Sequence, residues 1–221
     1  MMKRASNGTL AAAIIAAVII LDQILKIWVK THFFYGEDYA ITDWFRIRFI
    51  ENNGMAFGME LGSKLVLTWF RIIAVSLFVF YLAKISKRTD LPRGYVACIA
   101  MITAGAASNA IDGIFYGLIF DAPPIPLVAE MFPSGGGYGS LFYGRVVDML
   151  YFPLCEWDWP SWFPMVGGEH FVFFQPIFNI ADATLSVSVA VLILFYSSVL
   201  GKKPEEQKNA EGEKKEDSEV K

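Results

Sequence analysis

Residues 10–29 read LAAAIIAAVIILDQILKIWV. Leu10 to Leu21 is an unbroken apolar run, and Ile24, Leu25, Ile27, Trp28 and Val29 continue it past Asp22 and Lys26. About 20 apolar residues at 1.5 Å each cross a hydrocarbon core of roughly 30 Å, so this stretch predicts a membrane-spanning helix. Lys3 and Arg4 precede it as they would a signal peptide. Asp22-Gln23-Ile24-Leu25-Lys26 follows in place of a small-residue cleavage site, so an uncleaved span is expected. Working outward, Leu65–Ala83, Gly94–Phe115 and Phe178–Leu200 have the same character. The expected fold is an all-α polytopic membrane protein with four transmembrane helices, at about 9–29, 65–83, 94–115 and 178–200.

Composition agrees. The 221 residues are 55% hydrophobic and 19% charged, and 13 of the 41 charged residues fall in the last 20 positions. The remainder is too poor in charge for an ordinary soluble domain. A net charge of −3 offers no basic excess for nucleic acid, and two cysteines make no disulfide scaffold. Residues 1–201 therefore form the membrane domain, and 202–221 read as a charged, disordered cytoplasmic tail.

Orientation follows from the cations. Lys3 and Arg4, then Lys84, Lys87, Arg88 and Arg93, then Lys202 and Lys203 mark one side, whereas residues 116–177 contain only Arg145. By the positive-inside rule both termini are cytoplasmic, and the loops at about 30–64 and 116–177 face outward. Lys30, Arg46, Arg48 and Lys64 weaken the bias in the first loop. Phe45-Arg46-Ile47-Arg48-Phe49 alternates as a strand with one apolar face, and Asn53-Gly54 is a hairpin signal, so a small extracytoplasmic β-hairpin is expected. Pro123-Pro124, Pro126 and Gly135-Gly136-Gly137 suggest an irregular insertion, and Trp157, Trp159 and Trp162 an interfacial aromatic belt.

Ionisable groups in membrane spans are costly, which makes each a functional candidate. Asp22 and Lys26 lie in the outer half of span one, Asn109 and Asp112 near the outer end of span three, and Asn179 and Asp182 at the outer start of span four. Asp148 interrupts Val146-Val147-Met149-Leu150 in the second loop. All fall on one level. Blander roles compete: Asp22 and Lys26 can neutralise each other at i,i+4, Asn109 can join helices, and Arg71 can snorkel or pair with an acid. Asp148 and Asp182 resist such readings, because each is a lone acid flanked by apolar residues. His32 and His170 sit in separate loops without a zinc-protease pattern, and no phosphate loop, nucleophile elbow or dinucleotide motif occurs. No metal or cofactor is expected. Two carboxylates in a low-dielectric site can share a proton and divide acid and base roles. A small proton- or ion-coupled transporter would also carry acids in its helices, and a scaffolding protein would tolerate their loss.

Five motifs then occur in order: Asp22-Gln23-x-x-Lys26, Asn52-x-Gly54-x-Ala56-Phe57, Gly105-x-x-x-Asn109-x-x-Asp112, Gly144-Arg145-Val146-Val147-Asp148 and Phe178-Asn179-Ile180-Ala181-Asp182. Together they resemble the lipoprotein signal peptidase (signal peptidase II) family over residues 10–200. The resemblance implies an aspartic endopeptidase of the bacterial cytoplasmic (inner) membrane. Its substrate would be a diacylglyceryl-modified prolipoprotein, cut just before the lipidated cysteine. The dyad would be Asp148 and Asp182. Supporting or substrate-binding roles would fall to Asp22, Lys26, Asn52, Gly54, Asn109, Asp112, Arg145, Asn179 and Ala181. It further implies an outer β-cradle, contact with membrane lipid, inhibition by globomycin-type compounds and a monomeric enzyme. Two departures stand out: Ser108 replaces a glycine, and Gly113 an arginine that helps hold the site, which Arg145 or Arg71 is expected to replace. Residues 117–142 form an unusually long connection, read as a tolerated insertion.

Overall fold

The computed structural model describes residues 6–53 and 64–200. Gly54 and the tail at 202–221 lie outside the described residues. Four helices are long and apolar enough to cross a membrane: α1 Asn7–His32, α2 Lys64–Ile85, α3 Arg93–Ile119 and α4 Ile180–Leu200. Each overruns its expected span by a few residues at one end or both, except α4, which starts two residues later.

α3 is the central helix, packed against the other three. Fifteen of its residues are buried, against five in α1 and three in α2. Its sequence explains this, since Ala104-Gly105-Ala106-Ala107-Ser108 presents small side chains that let backbones approach closely. The approach is tightest at Gly105, where a Cβ would stand 2.5 Å from the Ala181 carbonyl oxygen of α4. Gly105→Ala must push the two helices apart, and a stability loss of about 1–3 kcal/mol is expected. Thermal denaturation in detergent checks this, and an unchanged midpoint would show that the contact yields freely.

At one end of the bundle the chain builds a four-stranded antiparallel sheet in the order β1 (Asp38–Thr42), β2 (Phe45–Asn52), β3 (Val146–Tyr151), β6 (Ile177–Phe178). The alternation in β2 turns Ile47 and Phe49 into the core, with Arg48 exposed. A hairpin is present, β1–β2, and its turn is Asp43-Trp44, whereas the Asn53-Gly54 signal runs into residues outside the described ones. β2 pairs with β1 over Phe45–Arg48 and with β3 as far as Asn52. The second loop is likewise more ordered than its prolines suggested. Besides β3 and β6 it contains a separate hairpin, β4 (Cys155–Asp158) with β5 (His170–Phe173). Trp157 and Trp159 pack there with Phe171 rather than lying singly along an interface. The 117–142 segment has no regular strand, yet it is pinned by bridges Phe34↔Val128 and Phe120↔Met131.

Two apolar clusters result. One gathers Ala11, Leu82, Ile99, Ile102 and Leu192 away from the sheet, and the other gathers Val29, Phe49, Tyr116, Val147 and Met149 beneath it. Along α1 and α3 the polar residues fall between these clusters, so the charges occupy a layer of their own.

Candidate active site

Lys26 is the hub of that layer. It is fully buried, and its ammonium donates to Asp22 Oδ2, Asp112 Oδ2 and Asn109 Oδ1, each at 2.8 Å. An ammonium has three protons, so Lys26 has none to spare. Asp22 and Lys26 do pair at i,i+4, as local spacing suggested, but the same cation also ties α1 to α3. Asp22 accepts from Ser108 Oγ at 2.6 Å and, through its other oxygen, from the Ala181 backbone N–H of α4 at 3.0 Å. Asp112 accepts from the Gln23 amide at 2.7 Å and from the Val147 N–H of β3 at 3.4 Å. Three helices and a strand are thus held by two carboxylates and one lysine.

Asn109 and Asn179 carry the connection onward. Lysine can only donate and ionised carboxylate only accept, so Asn109 must aim its oxygen at Lys26 and its NH2 at Asp182, 2.7 Å away. Asn179 precedes α4 and caps it: its Oδ1 accepts the Asp182 N–H at 2.9 Å, and Asp182 Oδ2 faces the Asn179 N–H at 3.4 Å. This reciprocal arrangement is a capping box. It leaves the Asn179 NH2 for Asp148 Oδ1 at 2.6 Å, with Asn109 Oδ1 and the Val147 carbonyl also in reach at 3.2 and 3.3 Å. Asp148 and Asp182, from a strand and a helix, are therefore bridged by two asparagine amides.

The two acids differ in surroundings. Asp148 is 2% exposed. Burial first, and then the nearby Asp182 carboxylate, push its carboxyl up to about 7, against the opposing pull of Lys26 and the Asn179 amide. Its Oδ2 receives no hydrogen bond among the described residues and is the natural seat for a proton. Asp182 is only half-buried and stands in the first turn of α4.

The structure thus brings together Asp22, Lys26, Asn109, Asp112, Asp148, Asn179, Ala181 and Asp182. Asn52 ends β2 opposite Val146, two residues from Asp148. Arg145 belongs elsewhere. It donates to Glu51 at 2.7 Å, and Glu51 also pairs with Lys30, whose ammonium lies over Phe49, Phe120 and Tyr138. Lys30, assigned above to a loop, is in fact buried in the last turns of α1. His32 is the last residue of that same helix, and His170 lies in β5 against Asp158 and Glu156. Of the two arginines expected to make up for Gly113, Arg71 is in place: its Nη1 is 3.5 Å from where a Gly113 Cβ would be. Ser108 is accounted for as well, since it serves both Asp22 and Gln23.

Gln23 is the member that sequence reasoning left out. It donates to Asp112 and Ser108 and accepts from Tyr116 at 3.0 Å. The available signal was an amide beside Asp22 inside an apolar helix.

Residues 14–198 match the family model described as Signal peptidase (SPase) II. A lipoprotein signal peptidase of Porphyromonas gingivalis is 47% identical over 195 residues, covering 88% of this chain and 86% of that one. One of Amoebophilus asiaticus is 35% identical over 182 residues, covering 80% and 72%. A bacterial membrane enzyme solved by the in meso method at 1.9 Å resolution shares the fold, with a TM-score of 0.56 at 22% identity, covering 92% of this chain and 99% of that one. With a match of this extent, the chain belongs to the signal peptidase II family of membrane proteases.

Proposed function

We infer that this chain removes the signal peptide from diacylglyceryl-modified prolipoproteins by cutting just before the lipidated cysteine, with Asp148 and Asp182 as the catalytic dyad. The observation that carries the reading is the asymmetry of the two acids. Asp22 and Asp112 share the ammonium of Lys26, whereas Asp148 and Asp182 have no ion pair among the described residues and are joined through the Asn179 and Asn109 amides. Asp182, the more exposed of the two, takes a proton from water, which attacks the scissile carbonyl carbon. Asp148 gives its proton to the carbonyl oxygen. Collapse of the resulting diol breaks the C–N bond as a proton passes to the departing amine, leaving a carboxyl terminus on the signal peptide and a free amine on the cysteine. No step needs a metal or cofactor.

The acyl chains remain in lipid while the peptide bond reaches the dyad at the end of the bundle that bears the sheet. Apolar binding remote from the bond then positions it. With both termini cytoplasmic, this places residues 1–201 as a peptidase domain in the bacterial inner membrane and its dyad at the outer face. It works as a monomer and takes globomycin-type inhibitors in the same site. Tight packing of Lys26 against three acceptors disfavours the ion-coupled transporter, which needs a cation path through that layer. The test is cleavage of a lipidated prolipoprotein by the purified protein, beside the same substrate without its diacylglyceryl group. Cleavage of the first alone, blocked by globomycin, is expected; no cleavage of either would end the reading.

One acid must be protonated and the other ionised, so kcat/KM is expected to fall as pH rises through about 7, where Asp148 loses its proton. A rate profile flat from pH 6 to 9 would remove Asp148 from the acid role.

A further inference from the structure

Arg71 lies within the apolar run of α2, where a guanidinium is costly unless it has a task. Thr68, one turn earlier, is buried, and its hydroxyl reaches the carbonyls of Lys64 and Phe142, both at 3.0 Å. That anchor fixes α2 beside the segment leading into β3. Opposite is Gly113 of α3, and the Thr68 hydroxyl and Arg71 Nη1 stand 3.3 and 3.5 Å from where a Gly113 Cβ would be. The missing side chain leaves the room that the guanidinium occupies, one residue from Asp112.

An arginine so placed would ordinarily be a structural counter-ion. Among the described residues, however, it makes no ion pair or hydrogen bond, although Asp112, Asp182 and Asp148 all act on it electrostatically. The oxygens of Asp112 are already engaged by Lys26 and Gln23 and those of Asp182 by Asn109 and the Asn179 N–H, while Asp148 holds the Asn179 amide on Oδ1 and leaves Oδ2 without a hydrogen bond among the described residues. The field of the acids holds the guanidinium at the site while its fork of donors stays uncommitted among the described residues. A peptide laid along the dyad brings a row of backbone carbonyls, which such a fork fits.

We propose that Arg71, seated over Gly113 between α2 and α3, is a substrate-binding residue that donates to a backbone carbonyl of the signal peptide next to the scissile bond. This rests on the peptidase reading above and adds a residue to it.

The test uses the full chain in detergent with a lipidated prolipoprotein, once cleavage by the unaltered protein is established. Arg71→Met should lower kcat/KM about 10–100-fold, as losing a charged hydrogen bond does. The loss should fall mainly on KM, with the thermal midpoint kept within about 3 °C. Arg71→Lys, which keeps the charge without the fork, should recover part of it. In Arg71→Met/Gly113→Arg the guanidinium returns from α3 across the same gap, and KM should improve over Arg71→Met alone. Unchanged kinetics in Arg71→Met would overturn the proposal. So would a lowered thermal midpoint with KM unmoved, which marks a structural counter-ion. If the unaltered chain cleaves nothing, the peptidase reading fails first, and the two failures stay distinct.

Discussion

Asp148→Asn and Asp182→Asn are each expected to reduce prolipoprotein cleavage by about 10³-fold or more while leaving the protein inserted and folded. Either substitution keeps the shape of the side chain and an oxygen to accept the Asn179 or Asn109 amide. On the proposed dyad, what is lost is the proton that Asp148 gives or the base that Asp182 provides. Cleavage and thermal stability must be measured on the same preparation, because they should move apart. In the folded protein Asp148 stays protonated up to about 7, whereas an unfolded aspartate ionises near pH 4. Folding therefore carries a penalty that grows from about pH 4 to about pH 7 and is absent below that window. Asp148→Asn removes it, so the inactive variant should be the more heat-stable one at pH 8, by up to about 4 kcal/mol. The advantage should disappear as pH falls to 4. Substantial cleavage by either variant would sink the dyad.

Lys26→Met should be the most destabilising single change in the layer. It leaves Asp22 and Asp112 fully buried with no cation. Breaking a buried ion pair from one side costs about 3–5 kcal/mol, or a fall of roughly 10 °C in a chain of this size. Asp112 retains Gln23, and Asp22 retains Ser108 and the Ala181 N–H, but neutral donors do not balance two charges. Adding Asp112→Asn should restore part of the loss, since it removes one of the stranded charges. A fall of only a few degrees in Lys26→Met, with nothing recovered in the double variant, would mean that the layer does not depend on this lysine.

Much of this architecture is legible in the sequence because membranes simplify the code. Apolar runs of fixed length announce the spans, and the scarcity of charge makes Asp22, Lys26, Asp112 and Asp182 conspicuous. Their common level follows from chain direction and a rise of 1.5 Å per residue. Long-range pairing does not follow from any local rule. β2 and β3 are separated by some ninety residues, and no periodicity around Asn52 points to Val146. The β1–β2 turn at Asp43-Trp44 carries no glycine to announce it. The β4–β5 hairpin has strands of four residues each, too short for alternation to speak. Lys30 lay one residue beyond the expected end of span one, and only Glu51, from the sheet, shows why it is buried. Arg71 was visible as an oddity, yet its neighbour Gly113 belongs to another helix.

The capping box at the start of α4 has a consequence for biogenesis. Asn179, Ala181 and Asp182 are supplied by the last span to be made. A nascent chain that has inserted α1, α2 and α3 holds Asp22, Lys26, Asn109 and Asp112 with Asp22 still short of the Ala181 donor, and it has only one of the two acids. Its half-satisfied polar layer is a flaw that a membrane quality-control protease could recognise, so chains broken before α4 should be cleared rather than accumulate.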